Sequence, residues 1–519
     1  MNKEKIKNFL IDHKIKILII TTAIIALSIT GYYLLKSNNT NENLNECRIA
    51  LPNDIKGFDV TRQQVTGSTY SDYILSIMHD TLLSKDKDQN IIKQLLSDYK
   101  RTDNGKTIKC QLKNNIFFHN GEELTTDDII FTYNRAENNE HPQFLEIEKI
   151  TKTDNKNFEI QLKENNLWTD FKFYRFFRVL NKKAVVENET EGLKIGCGPY
   201  KLTNYTRNDK LEFELFDKYH NKDRIQNSPK QLKFKISKDD DTLLQEIEQR
   251  KLDALISYPA SKINNLEKLK DKINIITNNS VSGSYIYINK DKVNLEKRKA
   301  IAQTIDPLKI KEELQLPSQI LTTYIPQSLI GHNETLQRYT NNNIDLIQKT
   351  VEKFSNTQKR IKIGLSSKNT IDVENKIIEQ LRNVGFDVSL TQTDFNTLLE
   401  EVKGDSYDMI FLGENHELEY GHKAFSDYFL SINNNNNFCH INLEDKPHIE
   451  DKLTQAAQTS DKNEYIRLIK EVSKYIHDQY FVIPLYLTPN YCITSKLIQK
   501  GFETDVFGNF DFTSIIKKI

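Results

Sequence analysis

The chain lacks the cysteine spacing of a metal ribbon or a redox dithiol. Its 519 residues hold five cysteines, Cys47, Cys110, Cys197, Cys439 and Cys492, and no C-x-x-C pair. That spacing excludes a zinc ribbon and a thioredoxin-type motif. The odd count argues against a dense disulfide framework, so the cysteines are expected to act as small buried hydrophobes. Spacing leaves one bridge open and does not choose its ends. An excess of one charge is also missing, since Lys+Arg and Asp+Glu both total 72. A nucleic-acid binder usually carries a basic surplus, and no basic cluster interleaved with aromatics occurs, so nucleic acid is not an expected partner.

Intact catalytic motifs are missing as well. His416-Glu417-Leu418-Glu419-Tyr420 begins like a zincin helix, but Tyr420 stands where the second histidine ligand must be. Asn104-Gly105-Lys106-Thr107 ends like a phosphate loop, but Lys100 takes the first glycine position, and no G-x-S-x-G elbow occurs. An enzyme is therefore not expected, and no cofactor is implied. His416, Glu417, Glu419 and His422 read either as a metal set or as a solvated polar loop. Trp168 is the only tryptophan. It reads as core rather than as a ligand platform, because such residues are usually buried for their area.

What is present sets size and compartment. A chain this long exceeds one ordinary core, so two or more lobes are expected, and 23 Tyr with 26 Phe can fill them. Lys3, Lys5, Lys7, Lys14 and Lys16 precede an uncharged run from Ile17 to Leu35. As a helix that run approaches the thickness of a bilayer core. The lysines before it predict a cytoplasmic N-terminus with everything after it outside, and Tyr32 and Tyr33 suit the far interface. No A-x-A site follows, and Cys47 sits behind Glu46, so the segment reads as an uncleaved transmembrane anchor, with a cleaved signal as the alternative. Residues 36–45 read as a tether.

From Arg48 onward short strands alternate with helices. Thr107–Lys113 has period two, with Ile108, Cys110 and Leu112 on one face, and Asn104-Gly105 before it is a tight-turn signal. A second Asn-Gly, Asn120-Gly121, follows Ile116–Phe118. Thr125 then caps a helix whose first turn carries Asp127 and Asp128. Strands are expected at Tyr285–Asn289, Ile361–Leu365, Phe386–Leu390, Asp408–Leu412 and Tyr480–Leu487. Helices are expected at Glu296–Ile305, Val373–Val384 and Asp451–Ile476. Val373–Val384 stops at Gly385 as a C′ residue, which makes a βαβ unit with parallel pairing.

Several of these segments resemble one family. Residues 95–136 contain Gly105, Leu112, Phe118-His119-Asn120-Gly121, Leu124-Thr125 and Asp128. They are similar to the signature region of the family 5 bacterial extracellular solute-binding proteins, the oligopeptide, dipeptide and nickel receptors of ABC importers. Gly196-Cys197-Gly198-Pro199-Tyr200, Arg298–Ile310, Ile378–Leu390 followed by Ser406–Gly413, and Phe481–Asn490 resemble further motifs of that family in the same order. The departures include Cys197 for Thr in the glycine turn.

The resemblance implies an α/β periplasmic-binding-protein fold of Venus-flytrap type with an extra subdomain in lobe one. Lobe one would hold residues 46–275 and 486–519, the subdomain about 63–190, and lobe two 276–485. It implies a monomer that captures oligopeptides and hands them to permease subunits, which spend the ATP. Nickel, haem or another small solute, or a degenerate member without transport, are the alternatives. In the family an acidic residue of the loop after the Asp408–Leu412 strand takes the ligand's ammonium. That implies Glu417, with Glu419 one gap away and Gly413, Glu414 and Asn415 beside it. Glu414 replaces a family tryptophan. Thr66 and Tyr70 in a first-lobe loop, and Gly283 and Tyr285 near the crossing between lobes, are the other wall candidates.

Overall fold

The strand Glu46–Leu51, buried at all positions but Glu46 and Arg48, sits in the middle of a seven-stranded sheet. It runs parallel to Gln231–Ile236 on one side and to Ala254–Tyr258 on the other. Lys210–Leu215 and Tyr200–Thr206 extend one edge, and Asn490–Ser495 and Ile273–Asn278 the other, all antiparallel to their neighbours. In this computed structural model the described residues are 45–86, 90–165, 168–278, 282–339, 343–366, 371–415, 421–430, 436–505 and 508–518. The expected anchor at 17–35 lies outside them. Among the described residues, no helix is long and apolar enough to cross a membrane.

A separate four-stranded antiparallel sheet, Leu96–Thr102, Thr107–Leu112, Asn157–Leu162 and Ile147–Lys152, forms within residues 96–162. Thr107–Leu112 buries Ile108, Cys110 and Leu112 and exposes Lys109 and Gln111, as its period predicts. Asn104 and Gly105 both take positive φ, although the connection spans four residues, 103–106. The helix Thr126–Asn138 starts with a capping box between Thr125 and Asp128. The segment at Ile116–Phe118 makes one bridge, Phe117 to Glu123, rather than a strand.

The third sheet has six strands in the order Gln319–Ile320, Val482–Leu487, Ser282–Ile288, Met409–Asn415, Arg360–Ser366, Asp387–Thr393. Arg360–Ser366 runs parallel to both of its neighbours, so the expected βαβ unit is present. Its helix, Asp372–Asn383, ends at Gly385 with φ +102°. The expected helix Asp451–Ile476 is two, Glu450–Gln458 and Lys462–Asp478. Asp461 accepts from the amides of Asn463 and Glu464, so the second helix has its own cap and the first must stop. Most of the Asn433–Asn437 loop lies outside the described residues.

Ile273–Asn278 lies in the first sheet and the next described strand, Ser282–Ile288, in the third, and the chain returns to the first sheet after Leu487. Trp168 joins the two bodies. It is 7% exposed and packs among second-lobe side chains, with its ring 4.4 Å from Tyr465 and 5.1 Å from His422. It is core, as expected, but the core it completes is not that of its own sheet. All five cysteines are buried and free.

Candidate functional site

Arg360–Ser366 is flanked by connections that leave in opposite directions. Asp372–Asn383 packs on the face carrying Ile363 and Phe411, while Phe395–Lys403 packs on the face carrying Tyr407 and Ile410. A crevice therefore opens beyond the carboxyl ends of the strands, where open α/β sheets hold ligands. A cavity of about 710 Å³ lies there. Ser366, Asp372, Glu374, Phe395, Leu412 and Gly413 form its second-lobe wall, and Ala260, Ser261 and Asn264 face them from the first lobe. No Lys, Arg or His is among the described lining residues. Burial raises the Glu374 carboxyl above its ordinary range, and the nearby Asp372 charge adds to the shift.

Of the residues picked from sequence, Gly413 and Tyr285 line this cavity. Gly283 pairs across the sheet with Glu414. A Cβ on Gly283 would lie 2.3 Å from the Tyr285 hydroxyl, so the glycine makes room for that ring. The Tyr285 hydroxyl donates to the Tyr324 carbonyl at 3.0 Å, and the Tyr324 hydroxyl donates to Glu414 Oε2 at 2.6 Å. Glu414 is 4% exposed, and burial, with a smaller push from Asp427, raises its carboxyl well above the ordinary value. Gly283, Tyr285 and Glu414 thus come together around Tyr324 in a buried cluster inside the second lobe, and of the three only Tyr285 lines the cavity. Asn415 ends the strand Met409–Asn415. Glu417 and Glu419 lie outside the described residues, as does His416.

Thr66 and Tyr70 are not brought to this cavity. Thr66 is buried, and its hydroxyl meets His141 Nε2 at 2.9 Å. His141 Nδ1 accepts from the Gln143 amide, so Nε2 carries the proton and donates to Thr66. Tyr70 is half-buried and edges a separate hollow of about 870 Å³ with Asn53, Asp54 and Gln64. Sequence reasoning missed Asp372, Glu374 and Phe395. Acids in a first helical turn read as ordinary complements to the helix dipole. Only their place just after a parallel strand signals a site.

The most specific sequence motifs turn out to be structural. A Cβ on Gly196 would sit 1.8 Å from the Met78 carbonyl oxygen, and one on Gly198 2.6 Å from that of Ile77. His119 ties this turn down: its amide donates to the Gly196 carbonyl, its Nδ1 accepts from the Gly196 amide, and its Nε2 donates to the Gly198 carbonyl at 3.0 Å. Burial holds His119 neutral, with its pKa lowered to about 4.

These features define a two-lobed α/β solute-binding protein with a cavity between its lobes. The chain belongs to the bacterial extracellular solute-binding proteins, family 5, whose middle region it matches over residues 90–437. It is 22% identical over 377 residues to the oligopeptide-binding protein AppA of Bacillus subtilis, covering 64% of this chain and 67% of that one. It is 20% identical over 499 residues to the dipeptide-binding protein of Escherichia coli, covering 87% and 90%. Among solved structures, the ABC transporter substrate-binding protein CtaP of Listeria monocytogenes superposes with a TM-score of 0.77 at 17% identity, over 91% of this chain and 99% of that one.

Proposed function

We propose that this protein captures short peptides between its lobes and presents them to the permease of an ABC importer. The observation that carries this is the inter-lobe cavity of about 710 Å³. Its volume falls within the roughly 300–1,000 Å³ of small-ligand sites. Its described walls hold two carboxylates and no cationic side chain, which suits a free ammonium. Its serines and the backbone at Gly413 suit recognition of peptide amides through hydrogen bonds, without strict choice of side chain. AppA and the E. coli dipeptide-binding protein, which bind oligopeptides and dipeptides by name, support the same ligand class.

In this reading the lobe bounds expected from the sequence, 46–275 with 486–519 and 276–485, shift to 46–278 with 488–519 and 282–487, because Ile273–Asn278 belongs to the first sheet and Val482–Leu487 to the third. Glu417 takes the ligand's ammonium, and the run 17–35 holds the protein on the outer side of the membrane. The separate sheets and their two crossings support the lobe division. Melting the chain from Asn45 onward with a pool of short peptides tests the function. At 100 times Kd, ligand adds about 2.7 kcal/mol, so the melting temperature rises and the scattering radius falls. A diverse panel producing neither effect, or cleavage of the peptides during incubation, would contradict it.

A further inference from the structure

The helix Thr169–Arg175 is fixed to lobe one by three ion pairs. Asp170 meets Arg101 at 2.6 Å, Lys172 meets Glu146 at 2.5 Å, and Arg175 meets Asp72 at 2.9 Å. Phe173, and Phe177 just beyond the helix, are buried in the core of the four-stranded sheet. Trp168, the residue before the helix, is packed the other way. It lies in a core whose other buried members, Phe171 apart, all fall between Tyr285 and Val482 in lobe two.

The seat for that ring is built by lobe two. Tyr465, on the helix Lys462–Asp478, is buried, and its hydroxyl accepts from the backbone amide of His422 at 3.1 Å. This bond ties that helix to the start of Gly421–Tyr428. The Trp168 ring meets Tyr465 edge-on and lies tilted against His422. Aromatic pairs of this kind add to the gain from burial alone. None of the three residues is among the described lining of the peptide cavity, so the contact joins the lobes away from the ligand. A side chain fixed to one lobe and seated in the other resists any motion that separates them.

We infer that Trp168 is a latch between the lobes: seated against Tyr465 and His422 it holds them together, and it leaves that seat when they part. The inference rests on the lobe motion of the proposed function but not on the ligand being a peptide. Unseating the ring returns a large apolar surface to water, so the seat favours the closed state. A ligand that binds the closed state is held more tightly the larger the fraction of molecules already closed. Trp168 is thus a positioning residue, which sets affinity through the lobes and not through the ligand.

Pulsed electron–electron resonance on the whole protein in detergent, without ligand, tests the inference. Spin labels go on Lys268→Cys in lobe one and Asn396→Cys in lobe two, both exposed, while the five native cysteines are buried. In Trp168→Ala the ratio of long to short distances is expected to rise at least about tenfold, since truncating a buried tryptophan costs several times the 1.4 kcal/mol of a tenfold shift. Trp168→Phe keeps a ring in the seat, so it is expected to fall between wild type and Trp168→Ala, and it reports even if Trp168→Ala fails to fold. Loss of packing within one lobe would lower the melting temperature without moving the distances between lobes. Distances unchanged from wild type in the folded variants would make the seat a fixed joint and overturn the latch. No peptide enters the comparison, so its outcome does not depend on whether the cavity takes one.

Discussion

Glu414 illustrates how far a single residue can move from its sequence reading. Its place among acids of one loop suggested a ligand contact, yet its carboxyl accepts from Tyr324 inside lobe two. The folded carboxyl titrates above its ordinary value of 4.5. The folded state therefore holds a proton that the unfolded state gives up above that pH, and stability falls as pH rises from there. Glu414→Gln keeps the acceptor and removes the titration. The variant is expected to melt higher than wild type at pH 8 and to lose that advantage towards pH 4.5, the gap growing by up to about 1.4 kcal/mol per pH unit. A gap that does not change with pH would contradict the assignment. For Glu417, Glu417→Gln is expected to weaken free peptides by about 2–5 kcal/mol, roughly 30-fold to several thousand-fold, while leaving N-acetylated peptides nearly unaffected. Equal effects on both, by calorimetry, would place the ammonium elsewhere. Tyr324, which holds Glu414, left no mark in the sequence because its partner lies ninety residues away.

At the scale of elements, local chemistry was largely legible. The Thr125 cap and the Gly385 stop follow from residues within a few positions of one another, and the parallel pair at Arg360–Ser366 from one strand–helix–strand run. The break at Asp461 was missed because the apolar spacing continues across it, and only the cap competes. The glycine turn was legible as a pattern but not as physics, since its cause is the Met78 carbonyl more than a hundred residues earlier. Gly196→Ala is expected to prevent folding, because backbone atoms cannot yield as a flexible side chain can. Soluble yield and circular dichroism check this. A soluble variant with native melting would show that the helix end shifts freely.

Over the whole molecule, buried histidines decide the acid limit. Burial lowers His79 and His422 to about 3, and His119 and His141 to about 4. Each folded pKa lies below the unfolded value of 6.5, so stability is full above pH 6.5 and is lost as pH falls towards the folded values. Each contributes a slope of up to about 1.4 kcal/mol per pH unit. Four such groups outweigh the opposite slope from Glu414, so melting temperature should drop steeply between pH 6.5 and 5. A flat profile there would mean that these rings are accessible to water. His422 makes this a property of both lobes, since it packs against Trp168 at their junction.

The two-lobed fold was implied by the family resemblance that the ordered motifs carried. The cavity walls were not, because Ala260–Asn264 and Asp372–Glu374 meet only once both lobes are in place. Whether that cavity holds a peptide is decided most directly by native mass spectrometry of the protein as purified from cells and again after incubation with mixed short peptides. A one-to-one adduct whose fragments are amino-acid residues is the predicted result. Bare protein under both conditions, or an adduct that is a metal chelate or another non-peptide solute, would contradict peptide capture.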